Sequence, residues 1–205
     1  GLKTLTIMKN ALRLINHNRQ ILKLEPINLD DLPLDDSKTY QLLQRGLTTA
    51  VFQLESRGIK EYIVKLKPNN FEDIITLIAL YRPGPLEMNM VETYIERKHG
   101  REEFSYGDES VEKILDKTHG VIVYQEQVMQ LAQEFSGFTL GEADILRRAM
   151  GKKIASEMEE QKEPFIRGAI EKGKNKRFAE GLFDQIEKFA GYGFNRSHSA
   201  AYAFI

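Results

Sequence analysis

Two short segments hold the side chains best suited to chemistry. In Leu146-Arg147-Arg148-Ala149-Met150-Gly151-Lys152-Lys153, four cations crowd around an expected helix end. Guanidinium groups meet phosphate bidentately, and ammonium groups add point charge. Cations at a helix C-terminus are also expected simply to stabilise the dipole, by about 0.3–1 kcal/mol, so composition leaves both readings open. Adjacent arginines cannot share one helical stripe, which tilts the balance towards a ligand. The second segment is Gly191-Tyr192-Gly193-Phe194 followed by Asn195, Arg196, Ser197 and His198. Its donors suit an anion or a base edge. Ser197 is expected to cap a helix over 200–205, aiming free backbone N–H groups at whatever Arg196 and His198 hold.

Weaker candidates accompany these. Arg82 sits in Tyr81-Arg82-Pro83-Gly84-Pro85, where two prolines stiffen the backbone; a helix stop with a solvated arginine is the plainer reading. Gln53, Glu55 and Arg57 alternate, so a strand would place them on one face, leading into a helix opened by Ser56. Glu126 is expected to cap its own helix start, and Arg97, Lys98, His99 and Arg101 to form a solvated run at a helix end. The four histidines show no ligand spacing, which argues against zinc. No P-loop, nucleophile elbow or Asp-x-Asp pair is present, and Asp30-Asp31 and Asp35-Asp36 lie in a connector.

The elements that must position these residues read as mostly helical. Leu2, Leu5, Met8, Leu12 and Ile15 recur at helical spacing. A Pro- and Asp-rich connector over 26–36 precedes a short helix capped by Ser37 and ended by Gly46. Further helices are expected over 56–68, 71–81, 87–99, 125–135, 141–150 (capped by Thr139), 154–173 and 177–189. Pro164 should kink or split the helix over 154–173. Residues 48–54 and 121–124 are candidate short strands, and 100–110 a polar loop. The fold class is therefore mainly α, a multi-helix domain with one or two short strands.

At 205 residues, with 41% hydrophobic and 29% charged residues, the chain can bury a sizeable core. Its net charge of −1 excludes a uniformly basic nucleic-acid binder, so local patches carry any electrostatic footprint. Cysteine is absent, which excludes disulfides and thiolate metal sites. No run approaches a membrane span and nothing resembles a signal peptide, so a cytoplasmic location without membrane partners is expected.

Six motifs in order resemble the alpha subunits of bacterial DNA polymerase III, the C-family replicative polymerases, in their Gram-negative-like form: VFQLESRG (51–58), ALYRPGPL (79–86), ERKHGREE (96–103), GVIVYQEQVMQLA (120–132), LRRAMGKK (146–153) and EKFAGYGFNRSHSAAYA (187–203). The resemblance implies that 1–205 is the first and larger part of the fingers domain, beginning at the palm boundary. The palm with its metal-holding carboxylates, the thumb, the phosphoesterase-like domain and the C-terminal domains would lie outside it. Mg²⁺ would serve the intact enzyme with ligands outside this chain, and the piece alone would bind none and be inactive. The partners implied are template–primer DNA, deoxynucleoside triphosphate, and other holoenzyme subunits through the missing regions. The resemblance implies that Arg147 and Arg148 meet the triphosphate, with Lys152, Lys153, Asn195, Arg196, Ser197 and His198 nucleotide-binding. Arg82, Gln53, Glu55 and Ser56 would lie near DNA or nucleotide. A non-catalytic nucleic-acid or protein interaction module is the alternative.

Overall fold

In the computed structural model, residues 2–152 and 155–205 are described. They form two compact units: residues up to Ile74 with Ala201–Ile205, and Ile75–Ala200.

In the first unit, α1 (Lys3–Ile21) buries none of its residues, and Ile7, Leu14 and Ile21 are exposed at a seven-residue spacing. α2 (Ser37–Gln44) is capped by Asp36, whose Oδ2 accepts the Thr39 N–H at 2.8 Å, so the cap lies one residue before the expected Ser37. α2 packs on α3 (Arg57–Leu66), which buries Ile59, Ile63 and Leu66 on one stripe. Between them, the expected strand over 48–54 is a run of turns. Ala50 and Gln53 both take positive φ, at 64° and 65°, and Thr48 Oγ1 donates to the Leu54 carbonyl, folding the segment back on itself. The alternating-face reading of Gln53, Glu55 and Arg57 therefore fails, and Arg57 begins α3. α4 (Phe71–Leu80) leads out of this unit.

The second unit continues with α5 (Pro83–Glu87), α6 (Met90–Lys98) and α7 (Glu109–Leu115). The helix expected over 87–99 begins only at Met90, and a separate short helix precedes it. Pro83 at the first helical position starts the earlier one, and Asn89 at φ 54° separates them. α7 begins at the end of the expected loop, capped by Asp108. α8 (Gln125–Glu134), α9 (Leu140–Lys152), α10 (Ala155–Glu171) and α11 (Lys176–Phe189) surround the main core, packing α8 on α9, α9 on α10 and α10 on α11. Thr139 caps α9 reciprocally: its N–H donates to Glu142 Oε2 at 2.7 Å, and the Glu142 N–H to its Oγ1 at 3.3 Å. α10 runs through Pro164 unbroken. A lost helix bond there is offset by Phe165, fully buried and packed against the rings of Phe135, Phe138 and Phe183. Gly168 lets α10 approach closely, since a Cβ would lie 2.0 Å from the Ser136 carbonyl oxygen. α12 (Arg196–Ala203) closes the chain.

The described residues hold twelve α-helices and no strand; extended pairing is limited to one parallel bridge, Tyr124 with Phe194. Residues 121–124 are too short and too close to α8 to do more.

Candidate functional site

The Arg147–Arg148 pair stands on the third turn of α9. Both guanidinium groups converge on Asp144, one turn earlier. Arg147 donates from Nε at 2.8 Å and Nη2 at 2.7 Å to Oδ1, and Arg148 Nη2 lies 2.8 Å from Oδ2. Residues three and four apart share a helix face, so one carboxylate gathers two arginines that point to different stripes. The Arg147 hydrogen bond, with the charges of both arginines, holds the Asp144 carboxyl below the usual carboxylate range. Arg148 remains two-thirds exposed, with a side-chain accessibility of 67%. Lys152 Nζ lies 3.3 Å from Glu157 Oε1. Lys153 lies outside the described residues.

The second cluster is built across long sequence distances. The bridge of Phe194 N–H to the Val123 carbonyl (3.2 Å) and Gln125 N–H to the Phe194 carbonyl (3.0 Å) sets the starts of α8 and α12 side by side. Asn195, not Ser197, caps α12: its Oδ1 accepts the His198 N–H at 2.9 Å. The helix begins at Arg196, four residues earlier than expected, because Asn195 supplies the side-chain acceptor that Ser197 was expected to give. Glu126 reaches across from α8. Its carboxylate accepts the Arg196 N–H at 3.1 Å to each oxygen and Asn195 Nδ2 at 3.0 Å. The Arg196 guanidinium carbon stands 5.9 Å from the centre of the Tyr124 ring, whose hydroxyl is 3.0 Å from Thr76 Oγ1.

Arg82 is a strut beneath this turn. It donates from Nε to the Ala79 carbonyl and from Nη2 to the Tyr192 carbonyl, both at 2.7 Å, and stacks 4.4 Å from the Phe194 ring centre. Burial pushes its pKa down, yet a guanidinium stays charged. The Arg82-Pro83-Gly84 turn presses on the same segment, for a Gly84 Cβ would lie 2.1 Å from the Tyr192 ring.

The structure thus joins Arg82 and Asn195–His198 with two residues the sequence did not mark for this role, Glu126 and Tyr124. Gln53, Glu55 and Ser56 are exposed in the first unit; Ser56 precedes α3 without a side-chain cap bond. The ERKHGREE cations answer the motif's own acids, Arg97 to Glu102 at 2.8 Å and Arg101 to Glu96 at 2.7 Å. Among the described residues no three His, Cys, Asp or Glu side chains gather as metal ligands. No helix of the described residues is long and apolar enough to cross a membrane.

The sequence profile of the bacterial DNA polymerase III alpha subunit finger domain matches residues 4–173. The chain belongs to that family. Over its whole length the finger-domain chain is 56% identical to the DNA polymerase III subunit alpha of Escherichia coli K12 and of Pseudomonas aeruginosa, and 57% identical to that of Pasteurella multocida. It spans 18% of the length of each of these relatives.

Proposed function

We propose that the chain is the finger region of a DNA-directed DNA polymerase, which extends a primer with deoxynucleoside triphosphates on a template. Its role is to position the incoming nucleotide and the template–primer end through electrostatics. The observation that carries this reading is the pair of guanidinium groups on α9 gathered side by side by Asp144. Such a pair sets two guanidinium groups beside one carboxylate while each arginine keeps further N–H groups to give to phosphate. Lys152, Lys153 and the Asn195–His198 turn extend the same site, whereas Arg82 supports it from below. Leu182, Phe183, Ile186 and Phe189 of α11, beyond the profile match, belong to the core that α8, α9 and α10 form, which supports a domain that includes α11.

The partners of this reading are template–primer DNA, deoxynucleoside triphosphate and the other holoenzyme subunits, in the cytoplasm. The Mg²⁺ that a polymerase requires is assigned to regions outside this chain, and 1–205 alone has no polymerase activity. The test is steady-state primer extension by the full-length alpha subunit with Arg147→Ala and Arg148→Ala. Each substitution is expected to raise the KM for nucleotide by about tenfold or more, with weaker change in DNA affinity. Unchanged KM in both, with only a shallower salt dependence of DNA binding, would favour a general phosphate-binding module instead.

A further inference from the structure

Glu126 is a carboxylate that stands at two helix starts at once. It is the second residue of α8, and its side chain also accepts the first N–H of α12 and the side-chain amide of Asn195. Each helix N-terminus carries roughly half a positive charge, so a carboxylate placed against two of them is held strongly and holds both. The Asn195 amide has only one orientation here. Its NH₂ faces Glu126 and its oxygen faces the His198 N–H; the reverse would set oxygen against carboxylate.

This arrangement changes what the Asn195–His198 turn can offer a ligand. The Arg196 and His198 N–H groups already have acceptors, and both acceptors belong to the protein. Glu126 occupies the Arg196 side of the anion seat at the start of α12. A phosphate approaching the turn therefore meets side chains, of which Arg196 is aligned by its own N–H bond to Glu126 and by the Tyr124 ring.

We infer that Glu126 is a positioning residue for the nucleotide site. It touches no substrate and acts through Arg196, by fixing the start of α12 and with it the direction of that guanidinium. The inference rests on the finger-domain reading of the Asn195–His198 turn.

The test uses the full-length alpha subunit in steady-state primer extension, comparing Glu126→Ala, Glu126→Gln, Arg196→Ala and the Glu126→Ala/Arg196→Ala double variant, with thermal unfolding of each. Glu126→Ala is expected to raise the KM for nucleotide about tenfold while kcat changes less than about threefold. Glu126→Gln keeps one acceptor oxygen and should recover most of that loss. In the Arg196→Ala background, Glu126→Ala should add less than about twofold, because the two residues act as one unit. A full additional loss in that background, or wild-type KM in Glu126→Ala, overturns the inference. Equal KM in Glu126→Gln and Glu126→Ala, each matched by the same fall in Tm, also overturns it, since only the fold would then depend on Glu126. If Glu126→Ala does not fold, Glu126→Asp carries the test: it keeps the charge but withdraws it by one methylene, and raised KM at unchanged Tm is the supporting result, while unchanged KM overturns. Wild-type KM in Arg196→Ala would instead remove the turn from the nucleotide site, and Glu126 with it. Raised KM in Arg196→Ala beside wild-type KM in Glu126→Ala removes Glu126 alone.

Discussion

The arginine pair of α9 and the Asn195–His198 turn both pair cationic or N–H donors with a carboxylate, but they are assembled in opposite ways. Asp144 lies three and four residues from its arginines, within a single helix. Glu126 lies about seventy residues from Arg196 and reaches it only because a bridge sets two helix starts side by side. The first cluster needs nothing but α9 to exist. The second needs Arg82, Tyr124 and the turn at Tyr192–Phe194 to be in place first. Local pairs on exposed helix faces contribute a few tenths of a kcal/mol, whereas a charged group bonded to half-buried carbonyls contributes several times more. The two regions should therefore fail differently when cut.

The sharpest cut is Arg82→Ala. It removes two hydrogen bonds from a charged donor to the Ala79 and Tyr192 carbonyls, and the stack on Phe194. At about 1.5–3 kcal/mol for each such bond, a loss of roughly 3 kcal/mol is expected. For a chain of this size that lowers Tm by about 6–12 °C, measurable by thermal unfolding. Arg148→Ala, by contrast, should stay within about 0.5 kcal/mol of wild type. Equal effects would erase the distinction between the two regions.

The same distinction explains what the sequence made legible. Helices with a continuous apolar stripe and a local cap could be read closely: α9 from its Thr139 start, α11 from its periodicity, and α4 from its apolar run ended near Arg82. The Asp144 spacing to Arg147 and Arg148, three and four residues, is equally legible in the sequence. Elements that tertiary contacts decide were not readable. Pro164 was expected to interrupt α10, but burial of Phe165 beside it keeps the helix whole. The 48–54 strand failed because Thr48 and two residues at positive φ fold the segment into turns. Glu126 looked like the cap of its own helix, and nothing within several residues of it announces Arg196. Arg82 is expected near DNA or nucleotide, and no local spacing announces that its donors turn to two carbonyls of its own fold.

A middle-sized effect should come from Asp144→Ala. Two long side chains lose the group that holds them together, and ordering each again on binding costs about 0.5–1.5 kcal/mol. The KM for nucleotide in the full-length subunit should rise about fivefold, with Tm nearly unchanged. A lowered KM would mean that Asp144 competes with phosphate for the arginines, and the α9 pair would then resemble the occupied anion seat at α12 more than a prepared site.

The smallest effect is read at Asp144 in acid. Arg147 holds the Asp144 carboxyl below its ordinary value, so the folded pKa lies under the unfolded one. A group of this kind adds stability above its unfolded pKa, about 3.9 for aspartate, and loses it as pH falls through the folded value. The gap in Tm between wild type and Asp144→Asn should be small and constant at neutral pH, then close below about pH 4. Because the pair is exposed, about 1 M salt should shrink the gap at every pH. Asp108 offers the internal control. Its burial raises the carboxyl pKa, but the bonds from Lys174 and Ser110 outweigh that and leave it lowered, and both partners of the Lys174 pair are largely covered. Asp108→Asn should show the same closure in acid from a wider starting gap, and should resist salt. A gap for Asp144→Asn that persists at pH 3 would mean that the charge of Asp144 is not what joins the two arginines, and the local half of the comparison would lose its physical basis.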